Sequence, residues 1–382
     1  MGHLPYNSSV KIVVALDKLK GSLTAPRACE IVRGTLLSVR PEWQVVAKPM
    51  ADGGDGTAEV LHAALRGRWV SRDVVGPLRE LRVHGSYLWI EDERMAIIET
   101  ASASGLALLR PEQRNPLSTT SFGTGELIRD AIERGAHKIL LGVGGSATVD
   151  GGVGAAIALG WRFLEADGVA VSLGGGELER IARMERPARQ IVPVIEVLCD
   201  VDNPLCGEHG AARVFGPQKG ATPAMVGRLD AGLNHLAIAV KEQLGVDIAN
   251  IPGAGAAGGL AAGAMAFMSG QLVSGVEAVI RETGLEAEIA GADWILTGEG
   301  CFDGQSLRGK VVSGVSRLAA KHSVSVAVLA GSVQVSENVW RREGIKLARA
   351  TMKPEMNLQQ AMARAEELLA AAARDLAKQI AA

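Results

Sequence analysis

The sequence predicts an α/β protein in which a parallel-sheet domain is interrupted by a second α/β domain containing antiparallel strands. Three observations predict it. From Val10 to Leu65 apolar, β-branched runs alternate with helix-length segments; from Arg68 to Glu99 three extended stretches follow one another without a helical spacer; after Glu288 the strand–helix alternation returns. At roughly 100–200 residues per domain, 382 residues allow two or three domains. The economical partition is a discontinuous domain, residues 1–75 and 286–382, holding an inserted domain, residues 76–285.

Val10-Lys-Ile-Val-Val-Ala-Leu16 is nearly all apolar and β-branched, the pattern of a strand covered on both faces by helices. Thr24-Ala-Pro26 opens a helix, with the proline in its first turn and Ile31, Leu36 and Leu37 available for a buried stripe. Gln44–Met50 reads as the second strand, Asp52–Gly56 as a turn and Thr57–Leu65 as the next helix. Such alternation places loops at the carboxyl ends of parallel strands, where open α/β sheets bind ligands. Trp69–Val75, Leu81–Ile90 and Met95–Glu99 suit antiparallel pairing. Gly125–Glu133, Lys138–Val143, Gly154–Leu164 and Ile191–Cys199 then alternate helix and strand. Pro223–Leu244 is a long helical zone, and Gly253–Met268 a packed small-residue helix. Trp294–Thr297 and Val324–Ala330 return to the first domain. Asn357–Ala382 is expected as one amphipathic helix with Leu358, Met362, Ala365, Leu369, Ala372 and Leu376 on one side.

Composition removes several function classes. Forty Lys plus Arg against 42 Asp plus Glu leave a net charge of −2, without the basic excess that nucleic-acid backbones require. Cys29, Cys199, Cys206 and Cys301 form no CxxC pair and no regular framework, which suits reduced thiols in a cytosol. The first residues lack a charged segment followed by an apolar one, and no run reaches the roughly 20 apolar residues of a membrane span. The expectation is a cytoplasmic protein with neither a nucleic-acid nor a membrane partner. Its 47 glycines in 382 residues imply many tight turns and close backbone approaches.

Several of those glycines lie in strand–loop–helix settings. In Ala51-Asp52-Gly53-Gly54-Asp55-Gly56-Thr57 the amides can face an anion at a helix N-terminus and the two carboxylates can hold magnesium, although turn and N-cap roles suit the same residues. Gly142-Val-Gly144-Gly145-Ser146-Ala-Thr-Val-Asp150-Gly-Gly-Val-Gly154 has six glycines in thirteen residues, more than a plain turn needs, and suits a phosphate cradle or backbone-lined pocket. Gly304–Lys310 satisfies all but the last letter of the GxxxxGK[ST] loop; Val311 has no hydroxyl for magnesium, so only the idea of Lys310 near phosphate survives. Glu299 and Asp303 follow the Trp294–Thr297 strand, where metal- or substrate-binding carboxylates are placed, with helix capping as the alternative. Asp200, Asp202 and Asn203 follow another strand as a base or metal cluster, or as an Asx turn before Pro204. Gly253–Gly258 matches GxGxxG, but a chain this rich in glycine yields ~0.7 such matches by chance, and Pro252 replaces the expected strand end. Lys20, Arg114, Lys219, Arg308 and Lys310 are the cations near these loops that a polyanionic substrate would need. No HExxH, GxSxG or Cys/His metal spacing is present.

Taken together, the loops resemble those of the bacterial type-1 glycerate kinase family. The resemblance rests on Asp17-Lys-Leu-Lys-Gly-Ser-Leu23, Ala51–Thr57, Thr119-Thr-Ser-Phe-Gly-Thr-Gly-Glu126, Gly144-Gly-Ser-Ala-Thr148, Phe215-Gly-Pro-Gln-Lys-Gly220, Pro252-Gly-Ala-Gly-Ala-Ala-Gly-Gly259 and Thr297-Gly-Glu-Gly300, collinear from about residue 10 to the end of the chain. It implies a flavodoxin-like parallel-sheet domain interrupted by a second α/β domain. It also implies an ATP-dependent kinase of D-glycerate, associated with 2-phosphoglycerate as product. Asp17, Lys20, Asp52, Asp55, Asp200, Asn203, Glu299, Asp303 and Lys310 are then expected to line a cleft between the domains. The sequence departs from the family at Leu16 and Lys18, where Pro and Ser are usual, at Val149 in place of Asn, and at Cys301 in place of Arg.

On that resemblance ATP and Mg²⁺ are the expected cosubstrate and cofactor, and ATP and D-glycerate the small-molecule partners; a homo-oligomer is compatible with it. Lys20 and Lys310 are assigned to phosphate or the glycerate carboxylate, with Arg308 beside them. Glu299 with Asp303 or Asp52 is assigned to Mg²⁺, and Asp200 or Asp52 to the hydroxyl proton. Asp17, Gly53, Gly54, Asp55, Gly144, Gly145, Ser146 and Asn203 are assigned to substrate and phosphate binding. Two other classes stay open at this point: an NAD-dependent oxidoreductase of a small hydroxy acid using Gly253–Gly258, and a catalytically silent nucleotide-binding protein.

Overall fold

A computed structural model describes residues 10–188, 193–307 and 309–381. The chain divides into two compact units, one formed by 1–52, 59–65 and 276–382, the other by 53–58 and 66–275.

The first unit carries a five-stranded sheet in the order Ile345–Ala350, Ser325–Ala330, Trp294–Gly298, Lys11–Leu16, Gln44–Ala47, and every pairing is parallel. Counted within the unit this is the order 2-1-3-4-5 of flavodoxin-like folds, whose topological switch point lies between the first and third strands. Ile12 through Leu16 are all buried, as a strand covered on both faces must be. Helices Ala25–Val39 and Ala365–Ile380 cover the face that includes Ile12, Val14, Leu16, Leu296 and Leu329. Helix Val311–Lys321 packs on Trp294–Gly298 and Ser325–Ala330. Pro26 sits at the start of the first helix, as its sequence requires.

The second unit holds a six-stranded mixed sheet in the order Gln271–Val273, Val194–Leu198, Lys138–Gly142, Met95–Glu99, Arg82–Ile90, Arg68–Val75. Its first four strands are parallel and the last two pairings antiparallel. The three consecutive extended stretches therefore pair as expected. Helix Phe122–Glu133 packs on the antiparallel edge, where Asp130 accepts hydrogen bonds from Tyr87 Oη and Arg72 Nε, both at 2.6 Å.

Three expectations need correction, and one strand is added. Gly154–Leu164 is not one helix: Val153–Ala158 is helical, and Arg162–Leu164 turns into a short strand paired with Arg183–Glu185, because Gly160 takes φ +94° between them. Gly253–Met268 is not helical throughout; a 3₁₀ turn at Ala256–Gly259, kinked at Ala257 and Gly258, precedes the helix Leu260–Met268. The C-terminal segment is two helices, Leu358–Ala363 and Ala365–Ile380, broken at Arg364, so Leu358 is 69% exposed while Leu369 and Leu376 are buried. The edge strand Ile345–Ala350 went unrecognised, since Lys346 and Arg349 interrupt its apolar residues. No helix among the described residues is long and apolar enough to cross a membrane.

Candidate active site

The switch point of the five-stranded sheet collects acids. Asp17 follows the Lys11–Leu16 strand and Glu299 follows Trp294–Gly298; the Asp17 amide donates to Gly298 O at 2.8 Å and so ties the two loop starts together. Asp52 comes shortly after Gln44–Ala47, with Met50 N donating to Leu16 O at 2.9 Å. Open α/β sheets bind ligands at this position because the loops there diverge and leave backbone and side chains facing a crevice.

The electrostatics of this cluster are unfavourable without a counter-ion. Asp17 is 9% exposed, and burial together with the neighbouring Asp52 and Glu299 carboxylates pushes it up to about 7, against the Lys18 amide, which donates to Oδ1 at 2.6 Å, and the Lys18 charge. Glu299 is raised by burial, with Asp303 and Asp52 adding to the effect while Ser306 and Lys310 oppose it. Its Oε1 is buried without a hydrogen-bond partner, as is Thr297 Oγ1 two residues earlier. A buried carboxylate oxygen left unsatisfied costs about 1–3 kcal/mol or more, so this cluster suits an incoming cation. Among the described residues no three His, Cys, Asp or Glu side chains can close round a metal by themselves. Magnesium commonly uses one or two carboxylates plus water and substrate phosphates, and these residues fit that mode.

The other sequence-predicted residues of this unit have more local roles. Asp303 Oδ1 accepts from Gln305 N at 2.8 Å and Ser306 N at 3.2 Å, an Asx turn that holds the loop after Glu299. Lys310 is the N-cap residue of helix Val311–Lys321 and acts on Glu299 electrostatically. Lys20 is exposed. Arg308 lies outside the described residues. Cys301 pairs in register with Ser332, whose hydroxyl donates to its sulfur at 3.3 Å.

In the second unit the two glycine-rich loops meet. A Cβ on Gly144 would lie 2.8 Å from Gly54 Cα and 3.1 Å from Asp55 N, so only glycine lets the loops touch. Gly53 has φ +82°, and a Cβ there would meet Leu198 Cβ at 2.7 Å and Gly275 Cα at 2.9 Å. Gly145 has φ +69°. Thr57 Oγ1 donates to Gly54 O at 2.7 Å and Glu99 Oε1 accepts from Ala58 N at 2.9 Å, which orders the start of helix Thr57–Leu65; Asp55 is exposed. Asp200 Oδ1 accepts from Gly275 N at 3.0 Å, and Asn203 Nδ2 donates to His209 O at 2.9 Å. These two contacts anchor loops, a role compatible with the turn alternative.

Ser146 is 6% exposed and its Oγ accepts from Lys219 Nζ at 2.8 Å. The sequence marks Lys219 only as one of five cations near these loops, within the Phe215–Gly220 motif, and gives Asp150 no individual role. Asp150 is buried and accepts from Ser121 N (2.7 Å), Ser121 Oγ (2.8 Å), Gly152 N (3.2 Å), Thr120 Oγ1 and Gly154 N (both 3.3 Å). Burial raises its carboxyl, and the Ser121 and glycine donors draw it back down. Val149, where the resemblance expects Asn, is buried in the apolar core of this unit.

The family model described as "Glycerate kinase family" matches residues 12–381. The chain belongs to the glycerate kinase family. It is 43% identical over 370 residues to a protein named glycerate kinase from Halalkalibacterium halodurans, covering 96% of this chain and 97% of the relative. It is 42% identical over 375 residues to the glycerate 2-kinase of Escherichia coli K12, covering 97% and 98%. A crystal structure of a Salmonella typhimurium LT2 protein, 41% identical, superposes with a TM-score of 0.86 over 97% of this chain and 98% of the other. The chain is therefore an enzyme, a phosphotransferase whose acceptor is an alcohol group. Among the described residues no strand runs into Gly253, so the GxGxxG match lacks the strand–loop–helix setting of a dinucleotide fingerprint, and Gly258 packs against the Thr148 carbonyl, where a Cβ would collide.

Proposed function

We propose that this enzyme transfers the γ-phosphoryl group of ATP to D-glycerate and yields 2-phosphoglycerate. The observation that carries this is the acidic cluster at the switch point, Asp17, Asp52 and Glu299, with the unpartnered Glu299 Oε1. Such a cluster is costly alone and becomes favourable beside a metal–nucleotide. The position of the phosphoryl group on the product is supported by the similarity to the E. coli protein named glycerate 2-kinase.

Glu299, with Asp303 or Asp52, would hold Mg²⁺, which when bound neutralises charge on the phosphate oxygens. Phosphoryl transfer needs chiefly positioning and charge neutralisation, because the transition state is loose and spreads charge over three equatorial oxygens. Lys20 and Lys310 supply cations for phosphate or the glycerate carboxylate. Asp52 accepts the glycerate hydroxyl proton, a contribution of about 10²–10⁴ in rate.

A coupled assay for ADP release, with D-glycerate and related hydroxy acids as acceptors, tests the reaction, and NMR of the product reads which hydroxyl is phosphorylated. D-glycerate should give the highest kcat/KM and a 2-phosphorylated product. No glycerate-dependent ADP release overturns the substrate assignment, a 3-phosphorylated product the regiochemistry, and undiminished turnover of Asp52→Asn the proton acceptor.

A further inference from the structure

Lys219 is 3% exposed and lies within hydrogen-bond distance of two oxygens, Ser146 Oγ and Thr148 O, both at 2.8 Å. It has no direct ion pair among the described residues. Asp150 acts on it only at a distance, its oxygens being occupied by Ser121, Thr120 and the Gly152 and Gly154 amides. A buried ammonium without a bonded carboxylate is expensive, and two neutral acceptors do not offset that cost.

The consequence falls on Ser146. When Nζ donates to Oγ, that oxygen is an acceptor, and its own hydroxyl proton is available to a further oxygen. Among the described residues no acceptor for that proton is found. Ser146 sits in the glycine loop that follows the parallel strand Lys138–Gly142 and its backbone is tied to Gly105 through an isolated bridge, so the lysine meets a hydroxyl on an anchored stretch of backbone. The lysine ends instead on a hydroxyl and a backbone carbonyl of a glycine-rich loop.

We propose that Lys219 is a positioning residue that acts through Ser146: its ammonium holds the serine oxygen from behind and turns the hydroxyl proton toward an anionic oxygen of a bound substrate. The charge and the anion favour one another, so binding and protonation of the lysine are linked. Burial pushes Lys219 down to about 7, with Asp150 as the charged group opposing this, so near neutral pH the lysine is poised between its two forms. In the amine form the serine proton points back to Nζ and the anion loses a donor. Substrate affinity therefore falls as pH rises above about 7. The inference rests on the kinase reading above only for the identity of the anion.

The test is calorimetric proton counting at pH 8, in two buffers of different ionisation enthalpy, on the full chain. D-Glycerate and a non-hydrolysable ATP analogue with magnesium are titrated separately. The wild type should take up a substantial fraction of a proton on binding one of them, and Lys219→Met should take up none beyond what the ligand itself binds. The arm that shows the difference identifies the anion as carboxylate or phosphate. In steady state the KM for that substrate should rise towards tenfold per pH unit above 7 in the wild type and stay flat in Lys219→Met, while kcat changes less. Ser146→Ala leaves the lysine in place and should abolish the linkage, and serves where Lys219→Met does not fold. Equal proton uptake by wild type and both variants, or a wild-type KM profile in either, overturns the proposal. Absence of glycerate-dependent turnover in the wild type would instead overturn the substrate assignment, because the analogue arm reads Lys219 without turnover.

Discussion

Replacing Asp17 by Asn should stabilise the protein at pH 8 and not at pH 4.5. Moving a carboxyl from 3.8 to about 7 penalises its ionised form by about 4 kcal/mol, at about 1.4 kcal/mol per tenfold change in proton affinity. The sign follows from linkage: with the proton held more tightly in the folded than in the unfolded chain, stability falls as pH rises from about 4 to about 7 and the loss is complete above that. Asparagine keeps an acceptor for the Lys18 amide but buries an NH₂ group, at about 1–3 kcal/mol. The net gain should be about 1–3 kcal/mol at pH 8, turning to a small loss at pH 4.5, where the wild-type carboxyl is itself largely protonated. Urea midpoints with their m-values at both pH values measure it. An unchanged or lower midpoint at pH 8, or the same gain at both pH values, would refute the claim that the acidic cluster strains the unliganded fold.

Glu299→Gln should lower turnover by about 10²–10³ and shift its magnesium dependence to higher concentration; an unaltered magnesium titration would remove Glu299 from the cation site. Gly53→Ala meets both a positive φ and the Leu198 and Gly275 atoms, so its melting midpoint should fall by the equivalent of about 1–3 kcal/mol, and a neutral result would show that the loop relocates freely. Asp150→Asn sets an amide against donors that all need an acceptor, and denaturant unfolding should report a loss of about 1–3 kcal/mol, with retained stability disproving the role of Asp150 as organiser of the Ser121 and Gly152 turns.

Much of the fold was legible because its strands are buried on both faces and read as unbroken apolar runs, as in Lys11–Leu16 and Trp294–Gly298. Ile345–Ala350 escaped because an edge strand admits charge, and the break at Arg364 escaped because apolar periodicity continues across it. For the candidate site, glycine spacing and strand ends drew attention to Asp52 and Glu299, and the family resemblance added Asp17; the fold sets all three after strands of the five-stranded sheet. The use made of each acid was not legible. That Asp303 closes a turn and that Asp200 holds Gly275 depend on backbone amides whose direction no residue spacing encodes. Lys219 was visible only as one lysine among several near loops; its significance comes from burial, which tertiary packing alone decides.

The central strand of the five-stranded sheet and its neighbour Lys11–Leu16 are adjacent in space and strangers in sequence: Lys11 and Asp293, which hydrogen-bond at their base, are 282 positions apart. A ribosome releases the earlier of them long before the later exists. Until then Lys11–Leu16 has only Gln44–Ala47 beside it, a parallel pair too small to persist in water, with an apolar edge open to other chains. The stretch 66–275, by contrast, is nearly self-sufficient, and its early condensation would shorten the search that closes the sheet. Truncation anywhere before Trp294 should therefore yield a protein that aggregates through its N-terminal strand, and synthesis at lowered temperature or with chaperones should matter more for this chain than its final stability suggests.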